Sequence, residues 1–277
     1  MIRPVVVLAD QHDTGATAVV SALTGHGGPD RVTVVRPHEL ARARWQHRVD
    51  AKGATTTRIV LPDGGVLDDR NIGAVLHRMP YVPPMGFLAA QVKDRHYATA
   101  ELHALVASWL HGIASRVVGP VMTCPAPAAQ MSESIVHFHA WQCGLPVVRR
   151  SSATRAGLLD PTVTGERLVA LIDWPGGSSA RVPLMKLPEE PRSEARRLLI
   201  AGDRVIGAGA EEYGDACRRL AARLGTTLAE AHMVTVGDRP ALARVDLYPR
   251  LDMPSHADAA ADLLLTVEAR SRAVSIR

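Results

Sequence analysis

Lysine is nearly missing from this chain: of 277 residues only Lys52, Lys93 and Lys186 are lysines, and arginine carries the rest of the positive charge. Chemistry that needs a flexible point-charge donor therefore has three positions to draw on. Aromatic residues are only 4% of the chain, and the basic residues are dispersed among Asp and Glu. A net charge of +4 and a pI near 9.2 therefore do not amount to a nucleic-acid footprint, which would cluster its basic residues. Three cysteines, Cys124, Cys143 and Cys217, have no CxxC spacing, which argues against a disulfide framework or a zinc knuckle and fits a reducing cytoplasm. The apolar opening Met1–Asp10 is too short for a signal peptide, and no run approaches the ~20 apolar residues of a membrane helix. A soluble, cytoplasmic protein is expected. There is no Gly-x-Ser-x-Gly, Walker-type or Gly-x-Gly-x-x-Gly sequence, so hydrolase, P-loop and dinucleotide readings have no motif behind them.

What is present is a globular α/β pattern, with 47% hydrophobic and 22% charged residues. Val5 to Ala9 reads as a buried parallel strand, Thr14 to Leu23 as a helix, and Val32 to Val35 as a second strand, which together imply a crossover and a parallel sheet. Thr56 to Leu61 and Val66 to Asp68 form a hairpin across Pro62–Gly65, where Asp-Gly and Gly-Gly supply positive φ. Ala74 to Met79 is a further buried strand. Lys93 to Ala114 carries an apolar stripe of helical period, with Val117–Val118 as the next strand. Ile135 to Cys143 reads as a helix closed by Gly144, and Leu145 to Arg149 as a strand. Strands are expected at Leu168 to Trp174 and Ala180 to Met185. Leu198 to Ile200 pairs with Val205 to Ile206, and Met233 to Val236 with Leu242 to Leu247. Helices follow at Ala210 to Leu224 and Ala257 to Val267.

Among the histidines, His137 and His139 are the tightest pair, but two residues apart on a helix they point in different directions and form no chelate. The charged stretch Lys93–Tyr97, with Glu101 and His103, reads first as a polar helix start.

The order Arg197-Leu-Leu-Ile-Ala-Gly-Asp-Arg-Val-Ile-Gly-Ala208, a helix, then Ala243-Arg-Val-Asp-Leu-Tyr-Pro-Arg-Leu-Asp252 resembles the end of an ATP-grasp ligase, where a "vlvvGdrvvga" hairpin precedes a helix and an "EVN" strand. Leu145 to Arg149 resembles that family's "GlpvP" strand. The chain is similar to the glutathione synthetase-like and peptide-maturase branches. That resemblance implies an α/β N-terminal domain with a parallel sheet, residues 1–128, followed by an ATP-grasp-like region of two small α+β subdomains, residues 129–277. Family members clasp ATP, activate a carboxylate as an acylphosphate and join it to an amine.

By the same resemblance Gly176, Gly177, Ser178 and Ser179 take the place of the glycine-rich turn over the phosphates, although Pro-Gly-Gly-Ser is also an ordinary hairpin turn. Arg181, Lys186, Arg204 and Arg244 are the cations that could meet phosphate, and Asp246 the carboxylate for magnesium. Two family lysines have no counterpart in Gln130–Ser134 or Val169–Pro175. His232 stands at the first metal position and Arg244-Val245-Asp246 in place of "EVN". ATP and Mg2+ are thus the cofactors implied, without the lysines and carboxylates that hold them. The expected function is an ATP-grasp-like binding or accessory protein with an eroded catalytic centre. The alternative is an active ATP-dependent carboxylate–amine ligase with altered nucleotide contacts. A peptide, a protein or a small-molecule carboxylate is the expected partner.

Overall fold

Val5–Ala9 is an unbroken apolar, mostly β-branched run, and it forms strand β1, buried along its whole length. Such a strand needs neighbours on both edges and cover on both faces. The computed structural model describes residues 3–121, 133–148, 151–153, 166–170, 184–188, 196–236 and 238–274. After β1 come helix α1 (Thr14–Gly27), β2 (Val32–Val35), α2 (Pro37–Arg42), β3 (Arg44–Val49), β4 (Thr55–Val60) and β5 (Val66–Asp68). Next are β6 (Ala74–Arg78), α3 (Val92–Gly112), β7 (Val117–Val118) and α4 (Glu133–Gln142). The strands β8 (Ser151–Ala153), β9 (Glu166–Ala170), β10 (Leu184–Pro188), β11 (Arg196–Ala201) and β12 (Arg204–Ile206) follow. The chain closes with α5 (Ala210–Arg223), β13 (Leu228–Val236), β14 (Arg239–Asp246) and α6 (Pro254–Val274). The fold is mixed α/β, with one parallel sheet and further antiparallel ones.

The chain divides into two units. The first holds Met1–Pro125, Gly225–Ala229 and Leu247–Arg277; the second holds Ala126–Leu224 and Glu230–Asp246. In the first unit β1 lies between β2 and β6 in the order β2-β1-β6-β7, all parallel. Helix α1 starts where Asp13 accepts a bond from Ala16 N–H at 2.9 Å, and the same carboxylate holds Arg78 Nε at 2.7 Å. Helix α6 packs on α1 and β6. Its Glu268 is fully buried and meets Arg31 at 3.2 Å and Arg272 at 2.5 Å. Gly73 sits against that glutamate, and a Cβ there would overlap Glu268 Cγ.

A three-stranded antiparallel sheet, β3-β4-β5, completes this unit. The sequence pattern missed β3, because Arg44, Gln46 and Arg48 point to solvent and no apolar alternation marks the strand. Its inner residues are fixed from outside the strand. Trp45 packs edge-on against Trp109 of α3 with centroids 5.7 Å apart, and His47 bonds Ser108 Oγ at 2.9 Å. Trp109 is fully buried and its Nε1 donates to Asp69 at 2.9 Å, which gives a buried polar atom its partner.

In the second unit the sheets are β8-β10-β9 and β12-β11-β13-β14. Of the expected strand Leu145 to Arg149, the described residues, 145–148, show a single parallel bridge between Val147 and Leu242. Pro146 contributes a carbonyl to Leu242 N–H at 2.7 Å but has no N–H to return, so the ladder stays short. Strand β13 begins at Leu228, well before the expected Met233. The expected strand Leu168 to Trp174 overlaps β9 at Leu168–Ala170 and the expected strand Ala180 to Met185 overlaps β10 at Leu184–Met185, while the rest of both, within residues 171–183, lies outside the described residues.

Candidate functional site

Strand β13 is flanked by β11 and β14, and its first seven residues are buried. Residues two apart on a strand share a face, so Glu230 and His232 project together. The register sets Glu230 opposite Asp246 and His232 opposite Arg244 on β14, followed by a bulge between His232 and Met233. A bulge ends regular pairing and re-aims side chains locally. Arg197 of β11 closes the cluster, with its Nε 3.6 Å from Glu230 Oε1. His232 Nε2 is 3.9 Å from the same oxygen.

Glu230 is fully buried, His232 nearly so, Asp246 partly, and Arg244 is exposed. Burial pushes the His232 pKa below its ordinary value, while Glu230 pulls it up and Arg244 and Arg197 push it down. With the ring neutral, two carboxylates face two guanidiniums. The cluster balances its own charge.

Behind Arg197, Gly207 has φ 134°, and a Cβ there would overlap the Arg197 carbonyl oxygen. Only glycine allows this approach of β12's end to β11. The cluster is thus tightly built at Arg197, whereas Arg244 is exposed.

Of the residues singled out in the sequence, Arg244, Asp246 and His232 lie together on β13 and β14. Glu230 is the member that sequence reasoning missed, so Asp246 is not the single carboxylate here. Arg204 lies on edge strand β12, with β11 and β13 between it and β14. Lys186 belongs to the other sheet, on β10 opposite Leu168 and Ser151. Gly176, Gly177, Ser178, Ser179 and Arg181 lie outside the described residues.

A hard dication takes oxygen ligands, but the buried carboxylate is already engaged by Arg197 and a guanidinium stands at Arg244. Among the described residues no three His, Cys, Asp or Glu side chains converge as a metal site. His137 does not enter the cluster as a ligand; its Nδ1 meets the Glu133 carbonyl at 2.6 Å within α4. His103 is likewise buried, with Nε2 accepting from Val82 N–H at 3.0 Å. No described helix is long and apolar enough to cross a membrane.

No family model matches the chain, and no curated protein matches it. Solved structures do. The macrocyclase MdnC of Microcystis aeruginosa MRC, bound with precursor peptide MdnA, has a TM-score of 0.73 at 12% identity, over 95% of this chain and 99% of that one. A RiPP-associated ATP-grasp ligase of Chryseobacterium gregarium, in complex with ADP and a leader and core peptide, scores 0.69 at 11% identity, over 96% and 97%. The ATP-grasp ligase PsnB, complexed with minimal precursor, Mg and ADP, scores 0.69 at 15% identity, over 96% and 98%. At these identities the likeness is one of fold.

Proposed function

With the ATP-grasp fold as premise, we propose that this chain is a non-catalytic, peptide-binding protein of that fold, in which an internally balanced ion cluster replaces the metal centre. The carrying observation is Arg197 held against the buried Glu230, with Arg244 and Asp246 facing His232 and Glu230 in register. Bringing a dication into this cluster would require displacing two guanidiniums, and the repulsion is strong at such short range. A peptide partner is supported by the precursor peptides held by MdnC, the Chryseobacterium ligase and PsnB.

The test is thermal stability titrated with ATP, with and without magnesium, because a ligand of the native state raises the midpoint by mass action. No magnesium-dependent shift is expected at millimolar ATP. A magnesium-dependent shift that disappears in Asp246→Ala would overturn this reading. Binding to an unbiased peptide array completes the test, and failure to bind any peptide counts against the peptide half.

A second reading, an ATP-dependent ligase, is favoured by the pairing of Glu230 with Asp246, which sets two carboxylates across one strand pair. The same magnesium titration separates the two.

A further inference from the structure

Most strand edges in the described residues are short or covered. β5, β7 and β12 have three residues or fewer, and β14 is bridged at Leu242. The outer edge of β3 differs. It is six residues long, has no proline, glycine or bulge, and pairs with β4 in one continuous register. The Asp50 N–H donates to Ala54 O at 2.9 Å. Hydrogen-bonded pairs alternate along an antiparallel ladder, so Arg48, Gln46 and Arg44 bond β4, while the N–H and C=O groups of Trp45, His47 and Val49 point outward. Among the described residues those groups meet no other backbone.

The side chains along this edge are mostly basic, and the acid beyond Arg48, Asp50, is turned to its own loop, where it accepts from Lys52 N–H and Ala54 N–H. Arg44, Gln46 and Arg48 share the solvent face, with exposed Arg58 directly across from Gln46. The nearby Asp68 is already held by Arg70, at 2.7 Å. Two copies of such an edge repel each other, whereas an acidic strand gains both ladder bonds and charge pairs.

We propose that β3 is a docking edge for an acidic peptide segment, which adds to the β3-β4-β5 sheet as a further strand with its carboxylates on the Arg44, Arg48 and Arg58 face. This deepens the peptide-binding reading above by giving the peptide a place and a charge. Alternation is part of the fit, because every second residue of an extended peptide meets the arginines.

The probe is fluorescein-labelled (Glu-Val)4, with (Lys-Val)4 as control, followed by anisotropy and by amide hydrogen exchange. The acidic probe binds, and its affinity falls as salt rises. It binds about tenfold more weakly to Arg44→Glu/Arg48→Glu. The amides of Trp45, His47 and Val49 gain protection. Val49→Pro removes one outward donor without removing a bond to β4, keeps every charge, and also weakens binding.

Absence of binding at about millimolar probe, equal binding of (Lys-Val)4, or binding without new amide protection would each overturn the proposal. So would a concentration-dependent dimer that the charge reversal abolishes, since the edge would then belong to a second copy. Binding of array peptides that ignores the β3 variants sinks this site alone. A chain that binds no peptide at all sinks the broader reading with it.

Discussion

Among the described residues each unit buries one glutamate completely, and the two are built in opposite ways. Glu268 in the first unit is clasped by Arg31 and Arg272 and wedged against Gly73, so helix α6, the loop before β2 and the start of β6 lock one another. Glu230 in the second unit has Arg197 at 3.6 Å and His232 at 3.9 Å, both longer than the contacts of Glu268. Arg197 remains 40% exposed, while Arg31 is 17% exposed. A tight buried pair serves packing. The longer pair sits beside an exposed arginine and a second carboxylate, and its cation is open to water.

Removing each carboxylate breaks or sustains this contrast. Glu268→Ala leaves Arg31 nearly buried without its counter-charge, and a loss of about 3–5 kcal/mol is expected in urea unfolding. Glu230→Ala leaves Arg197 free to turn to water, and about 1 kcal/mol is expected. Equal losses would make Glu230 another structural clasp and remove the site. Gly73→Ala and Gly207→Ala probe the walls of the same two clusters. Each forces a Cβ into occupied space, at about 1–3 kcal/mol. Only Gly207→Ala should also disturb Arg197, seen as a changed chemical shift of the His232 ring.

A sharper test of the site reverses one charge. In Arg244→Glu the cluster gains a third carboxylate in place of a guanidinium, and a divalent cation can then be held by oxygens. Magnesium or manganese should raise the melting temperature of this variant by roughly 2–4 °C, the equivalent of about 1 kcal/mol in a chain of this size, and leave the parent unchanged. A parent that responds as strongly as the variant would show that its arginines do not keep metal out.

How much of this was legible depended on whether a residue's environment came from its neighbours in sequence. Val5–Ala9 announced a buried strand, because burial on both faces demands apolar residues at every position. Gly202 marked the β11–β12 turn, and it adopts φ 60° there. The Arg44–Val49 strand was hidden, because its inward Trp45 and His47 are fixed by Trp109 and Ser108 from a distant helix. Glu230 was hidden for the same kind of reason. It sits in Leu228-Ala-Glu-Ala-His, where Ala and Glu favour helix and a carboxylate suggests solvent. Its burial is tolerable because Arg197, on a strand remote in sequence, supplies a counter-charge. Arg244 and Asp246 could be read from the "EVN" resemblance alone; the residue opposite Asp246 could not.

The smallest expected effect is one of pH, and it distinguishes the units once more. Burial holds the His232 pKa below the ordinary 6.5, so between that lowered value and about 6.5 the unfolded chain binds the proton and the folded chain does not. Stability therefore rises with pH through this window and falls as the solution is acidified below about pH 6.5. In the first unit the Arg70 side chain holds the Asp68 carboxyl down at about 2. Its stabilisation is complete above the ordinary carboxylate value of 3.8 and is lost only as pH falls towards 2. His232→Asn should thus flatten the dependence of the urea midpoint on pH just below about 6.5 and leave the lower window alone, with Asp68→Asn doing the reverse. If His232→Asn leaves the upper slope unchanged, the folded chain does not hold the ring neutral, and the charge balance drawn for the cluster fails.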